Sequence, residues 1–202
     1  MEYVLIIGHD MDFSKFNFSN RYIIGVDEGA YVALQNGVKV DVAIGDFDSI
    51  DADKLNYLKS NTEVIHLPQE KNDTDTMAAL KLCKDAERII ILGGIQGKRI
   101  EHFIANLLLM ERFPKVEMLD NNSHMYVMDS SFSIKKTDYK FISFFALSDT
   151  IITLDGFRYP LNKYHLSNMD PLTISNEITS ERGIVTLKGG RILVIQSKED
   201  KA

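Results

Sequence analysis

Two pairs of aspartates are the residues in this chain best placed to do chemistry. Asp46 and Asp48 lie in DVAIGDFDSID (41–51), directly after an apolar run that ends in Gly45. Asp73 and Asp75 lie in KNDTD (71–75), after EVIHLP (63–68) and at the start of TDTMAALKLCKD (74–85). Acids at i and i+2 of an extended segment project from one face, and carboxylates that close repel unless a cation sits between them. Mg²⁺ suits such a pair, because it takes one or two carboxylates together with waters and phosphate oxygens. Lys71 stands beside the second pair as a cation able to reach phosphate. That pair also opens a helix, a position that favours negative charge and commonly receives phosphate, so a bridging metal reconciles the two. The plainer reading of either pair is a solvated turn, with Asp73 or Thr74 capping the helix.

Two further loops carry suitable residues. In GGIQGKRIEH (93–102) the glycines permit close backbone approach to a ligand, and Arg99 offers a planar fork for phosphate oxygens. His102 opens the following helix beside that loop, within reach of a phosphate. The spacing fits neither a Walker A loop nor a dinucleotide fingerprint, since Lys98 precedes Arg99 and Leu92 stands where a first glycine would be. In VDEGA (26–30), Asp27 ends a strand and either hydrogen-bonds a ribose or base or caps the helix from Glu28. The five histidines lack zinc-ligand spacing.

These loops need a frame, and the first part of the chain supplies one. YVLIIG (3–8), RYIIGVD (21–27), VDVAIGD (40–46), EVIHLP, RIIILGG (88–94) and KVEMLDN (115–121) read as strands. Helical patterns interleave them at 28–36, closed by Gly37, at 51–60 with Asp51 as N-cap, at 74–85 and at 101–113. Such alternation predicts a mostly parallel sheet with helices on both faces, whose ligands sit at the carboxyl ends of the strands. After NNSH (121–124) no helix is expected. MYVMDSSFSIKK, KFISFFALS, TIITLDGFRYPL, LTISNEIT, RGIVTLKG and RILVIQSK are strands between turns, the signature of an antiparallel sandwich or barrel. The expected fold is therefore α/β: an N-terminal mostly parallel sheet flanked by helices over 1–122, plus a C-terminal antiparallel β-sandwich domain over 123–202.

The 202 residues are 45% hydrophobic and 26% charged, enough to bury a sizeable core. The net charge of −6 argues against general nucleic-acid binding. One cysteine, Cys83, excludes an internal disulfide and points to a reducing, cytoplasmic setting. No signal peptide and no membrane span are expected from the apolar runs.

GVDEGAYVAL, VAIGDFDSI, NDTDTMAAL, the GG-x-x-G-x-R-x-[DE]-H loop and a late TISNE, taken in order, resemble the thiamine pyrophosphokinase family over nearly the whole chain. The resemblance implies transfer of pyrophosphate from ATP to the hydroxyl of thiamine, giving thiamine diphosphate and AMP. It implies Mg²⁺, a homodimer with the active site at the subunit interface, an N-terminal catalytic, nucleotide-binding domain, and a C-terminal domain for thiamine binding and dimerisation. Carried over by position, Asp46, Asp48 and Asp73 are metal ligands. Asp75 lies close by, and Arg99 joins these acids as a catalytic residue. Asp27, Lys71, Asn72, Thr74, Gln96, Arg99 and His102 contact the nucleotide, and Ser175 and Asn176 contact thiamine. The chain departs from the family at Lys98 and Glu101, where a glycine and an aspartate are common, and it has no Trp to stack on thiamine; Tyr159 is one aromatic able to stand in.

Two other readings fit parts of the pattern. DFDSI resembles the nucleophile motif of haloacid dehalogenase-like phosphatases, with Asp46 attacking phosphorus; against it, the motif follows the third strand rather than the first. A non-enzymatic nucleotide-sensing module would use the same rim without an acceptor pocket. The products tell the three apart: AMP with a pyrophosphorylated alcohol, inorganic phosphate, or none.

Overall fold

The structure, a computed structural model, describes residues 1–8, 11–96 and 99–199. The chain divides into two compact units, one of Met1–Leu109 with Lys115–Asn121, the other of Met110–Pro114 with the chain from Asn122 onward.

In the first unit, strands β1 (Glu2–Ile6), β2 (Arg21–Val26), β3 (Val42–Gly45), β4 (Glu63–His66), β5 (Arg88–Leu92) and β6 (Val116–Leu119) pair in parallel in the order β4-β3-β2-β1-β5-β6. Helices α1 (Glu28–Gln35), α2 (Ala52–Asn61), α3 (Asp75–Leu82) and α4 (Ile100–Arg112) lie between them in sequence. The interior strands are apolar almost throughout because helices cover both faces of a parallel sheet; all four residues of β3 are buried, whereas edge strand β4 is not. Helix ends follow the residues expected to set them. Asp51 accepts the Lys54 N–H at 2.8 Å, and Gly37 takes up φ +75 past the end of α1.

The strand order reverses between β1 and β5, so the loops leaving those strands diverge there, the place where such sheets bind ligands. Glycines make the approach possible. A Cβ built on Gly8 would lie 2.7 Å from the Cα of Gly93, so the backbones beyond β1 and β5 meet with no room for side chains.

The second unit carries two antiparallel ladders. Strands β7 (Ser123–Met128), β13 (Arg191–Ser197) and β9 (Phe141–Ser148) form one, in the order β7-β13-β9. Strands β11 (Leu161–Leu166), β10 (Thr150–Asp155), β12 (Arg182–Lys188) and β8 (Phe132–Lys135) form the other, in the order β11-β10-β12-β8. Alternate residues of β9, β10, β12 and β13 point inward, and Ile142, Phe144, Ile152, Leu154, Val185, Ile192 and Val194 share one core with Phe157. Two expectations change here. LTISNEIT is not a strand; it touches the ladders only through isolated bridges, Ile142 with Asn176 and Phe157 with Ile178. Conversely, NKYHL, outside the expected strands, forms most of β11 at a sheet edge, where exposed polar side chains are tolerated.

Candidate active site

Three carboxylates converge at the carboxyl rim of the parallel sheet. Asp27, Asp46 and Asp75 each offer an oxygen within 4.8 Å of the others. Each comes from a different junction: Asp27 follows β2, Asp46 follows β3, and Asp75 is the first residue of α3.

Asp27 is held there by its backbone. It sits at φ 48, ψ −130, its N–H bonds to Ile44 O at 3.0 Å, and its side chain makes no capping bond to α1. The capping alternative is thereby closed. The carboxylate leans over β3 into space that Gly45 leaves open; a Cβ there would lie 1.9 Å from Asp27 Oδ1. Positive φ at an aspartate costs on the order of 1 kcal/mol and persists where the surroundings enforce it.

Lys71, in the loop before α3, reaches into the triad. Its Nζ is 2.5 Å from Asp46 Oδ2 and 3.0 Å from Asp75 Oδ1, with only 14% of its side chain exposed. Asp27 Oδ1 is buried and accepts no hydrogen bond from the described residues, while the buried Asp75 Oδ1 is held by the Lys71 ammonium at 3.0 Å. Burial, followed by the neighbouring Asp75 and Asp46 charges, pushes Asp27 up to about 6. The Lys71 hydrogen bond holds Asp46 below the usual carboxylate range. Burial would lower the Lys71 ammonium, but its bonds to Asp46 and Asp75 outweigh that and keep it above its ordinary value. Three hard oxygen donors, one of them an unpartnered buried oxygen in a glycine-made cradle, fit a hard divalent cation.

The other expected residues divide. Asp46 and Asp48 do not share a face, because the segment is not extended: Phe47 takes φ +55 and buries its ring beside Ala30, Ala43 and Leu58, leaving Asp48 exposed. Asp73 turns to an ion pair with Lys81. Neither acid belongs to the triad. Thr74 is the cap of α3, accepting the Met77 N–H at 3.2 Å. Asn72, Gln96 and His102 are exposed, and Arg99 pairs with Glu101 at 2.7 Å in the open. Gly97, Lys98 and His9 lie outside the described residues. Cys83 is packed in the core as expected, and burial pushes its thiol up to about 12.

Sequence reading passed over Asn106. It is 6% exposed on α4, and its Nδ2 lies 2.9 Å from where a Cβ of Gly94 would be, so a buried amide backs the glycine turn. The available signal was a polar residue inside the apolar run FIANLLLM.

In the second unit Ser175 is exposed at φ +53, and its N–H bonds to Ser143 Oγ at 2.9 Å. Asn176 is 3% exposed and its amide is bonded at both ends: Nδ2 donates to Tyr159 O at 2.8 Å, and Oδ1 accepts from Tyr159 N at 3.0 Å and Glu177 N at 2.9 Å. Its side chain thus clips a loop that presents Tyr159, 60% exposed, rather than reaching outward. Asn176→Ala strands three backbone groups, and we expect a loss of about 2–4 kcal/mol in unfolding free energy, read by urea denaturation.

A parallel sheet whose carboxyl rim gathers carboxylates about an ammonium, in a chain that continues into an antiparallel sandwich, has the make-up of a two-part α/β enzyme that handles phosphates. Comparison with known proteins gives the particular family. The description "Thiamin pyrophosphokinase, catalytic domain" matches residues 13–120, and "Thiamin pyrophosphokinase, vitamin B1 binding domain" matches residues 130–192. A thiamine pyrophosphokinase of Bacillus subtilis is 32% identical over 198 residues, 93% of this chain and 92% of its own length. A crystal structure of the Bacillus subtilis thiamine pyrophosphokinase superposes with a TM-score of 0.89 at 29% identity, covering 98% of this chain and 100% of that one. The Geobacillus thermodenitrificans thiamin pyrophosphokinase gives 0.88 at 27% identity, covering 100% and 99%. The chain belongs to the thiamine pyrophosphokinase family, and it is a transferase, a kinase of thiamine. These matches do not favour the phosphatase or sensing-module readings. Among the described residues no helix is long and apolar enough to cross a membrane.

Proposed function

We propose that the rim triad holds Mg²⁺ and that the enzyme moves the pyrophosphoryl group of ATP onto the thiamine hydroxyl, releasing AMP. The convergence of Asp27, Asp46 and Asp75 within 4.8 Å carries this reading. In it Asp27 and Asp75 take the places expected of Asp48 and Asp73, which lie outside the cluster of converging oxygens. When bound, the cation would neutralise charge on the phosphates, the main need in phosphoryl-type transfer.

The chain's own groups do the rest. Lys71 and Arg99 supply positive charge to the phosphate oxygens; Arg99 is exposed and pairs with the equally exposed Glu101, so its guanidinium can turn to a ligand. Asn72 on the loop after β4, Gln96 on the loop after β5 and His102 in the first turn of α4 are exposed and offer polar groups to the nucleotide. Thr74 acts through its cap, fixing the start of α3 and so the place of Asp75. A rim carboxylate would accept the alcohol proton; Asp75 is better placed for this than Asp73, which is held by Lys81. In the vitamin-binding part, Ser175 offers a hydroxyl to thiamine, and Asn176 holds Tyr159 ready for its rings.

An exposed apolar surface supports a homodimer. On α4, Ile100, Ile104 and Leu108 are 64%, 50% and 61% exposed at intervals of four residues. They make an apolar stripe that a second copy would cover. Sedimentation equilibrium checks this, with twice the chain mass expected. In that dimer the vitamin-binding part of one copy completes the active site of the other. The single buried thiol agrees with a cytoplasmic setting. The direct test is incubation with ATP, Mg²⁺ and thiamine. Thiamine diphosphate and AMP in equal amounts are expected; inorganic phosphate alone would overturn the reading.

A further inference from the structure

Lys71 sits where a cation belongs. Its ammonium bonds Asp46 Oδ2 and lies 3.0 Å from Asp75 Oδ1, so one positive charge is shared by two members of the triad. Both carboxylates are well shielded, at 15% and 19% side-chain exposure, which strengthens the attraction relative to a surface pair. From this geometry we infer that Lys71 is the resident cation of the metal-free site and competes with the divalent ion for Asp46 and Asp75. The inference rests on the metal reading proposed above.

The reasoning is one of shared oxygens. A divalent ion of the Mg²⁺ type needs its oxygens at about 2.0–2.1 Å. An ammonium already bound to the same carboxylates at 2.5 and 3.0 Å would be left beside that ion. Two cations that close repel strongly in a partly buried site. One of them has to yield. Lys71 is able to, because it lies in a loop rather than in a strand or helix, and its four-carbon stem swings easily. It moves only when something anionic receives it, and incoming phosphate is such a group. Metal without phosphate therefore meets a site whose charge is already partly balanced, whereas metal with phosphate meets one that Lys71 can vacate. The consequence is weak binding of the free ion and joint entry of ion and nucleotide.

The test uses Mn²⁺ alone, with no nucleotide, and reads free Mn²⁺ by electron paramagnetic resonance on the full-length protein. Lys71→Met removes the resident charge and is expected to bind Mn²⁺ about tenfold or more tightly than the parent. Lys71→Gln, which keeps hydrogen bonding without charge, is expected to do the same and guards against a folding defect in the first variant. Asp46→Asn in either background is expected to weaken binding. Two folded Lys71 variants that bind Mn²⁺ no better than the parent, with binding still sensitive to Asp46→Asn, would overturn the competition while leaving the metal site standing. Mn²⁺ binding that ignores Asp46→Asn in every background would overturn the metal reading itself, and the inference with it.

Discussion

Asp46→Asn lowers the rate of thiamine diphosphate formation by about a thousandfold or more, while far-ultraviolet circular dichroism and the unfolding transition stay those of a folded chain. The size follows from where Asp46 sits. It is the triad member that meets Lys71 at 2.5 Å, so the substitution removes one carboxylate from the proposed metal set and one of the two anchors of the cation meant for phosphate. Losing a single charge-stabilising group in a preorganised site costs about 10²–10³ in rate, and here two partners are disturbed together. The fold survives because Asp46 follows β3 rather than packing within it, and an asparagine keeps the shape. Stability shifts only modestly, since Lys71 keeps its ion pair with Asp75. Turnover within tenfold of the parent would remove Asp46 from the metal's ligands.

The frame that holds this site was legible because it is written in periodicity. Short apolar runs closed by Gly, Asp, Asn or Pro gave six parallel strands, and the rule that ligands meet such a sheet at its carboxyl ends located the rim. The acids at that rim were visible too, but not which of them would meet. Sequence spacing treats 46 and 48 as equivalent; the structure separates them through one residue, Phe47, whose positive φ and buried ring turn Asp48 outward. A phenylalanine does not announce a left-handed conformation, so nothing local could have said so. Asp27 was read as a cap or a ribose contact because its nearest neighbours in sequence suggested both. Its true neighbour is Gly45, far along the chain, whose missing Cβ makes space for the carboxylate. Polar strand β11 and the non-strand LTISNEIT failed for a related reason. Edge position relaxes the alternation that identifies a strand, and a buried Asn176 can fix a segment through its side chain without any ladder.

That hidden placement of Asp27 leads to the second large effect. Asp27→Asn is expected to abolish measurable turnover and at the same time to stabilise the metal-free protein near neutral pH by about 1–3 kcal/mol. The folded protein raises this acid from 3.8 to about 6, chiefly by burial and then by the charges of Asp75 and Asp46. Below about pH 4 the group is protonated folded or unfolded and contributes nothing. Between about pH 4 and 6 the unfolded chain gives up the proton while the folded chain retains it, so stability falls as pH rises through that window. Above about pH 6 the folded chain carries the ionised group at its full cost. Asparagine has no such proton and tolerates positive φ, so it escapes the penalty without straining the turn. The gap in melting temperature between variant and parent, measured in chelator, should therefore be small at about pH 4, open between about pH 4 and 6, and stay constant above. Mg²⁺ with nucleotide should close it, because only the parent gains by binding. A gap that does not change with pH would mean that Asp27 carries no buried charge and that the triad is not the strained, cation-seeking cluster on which the catalytic reading depends.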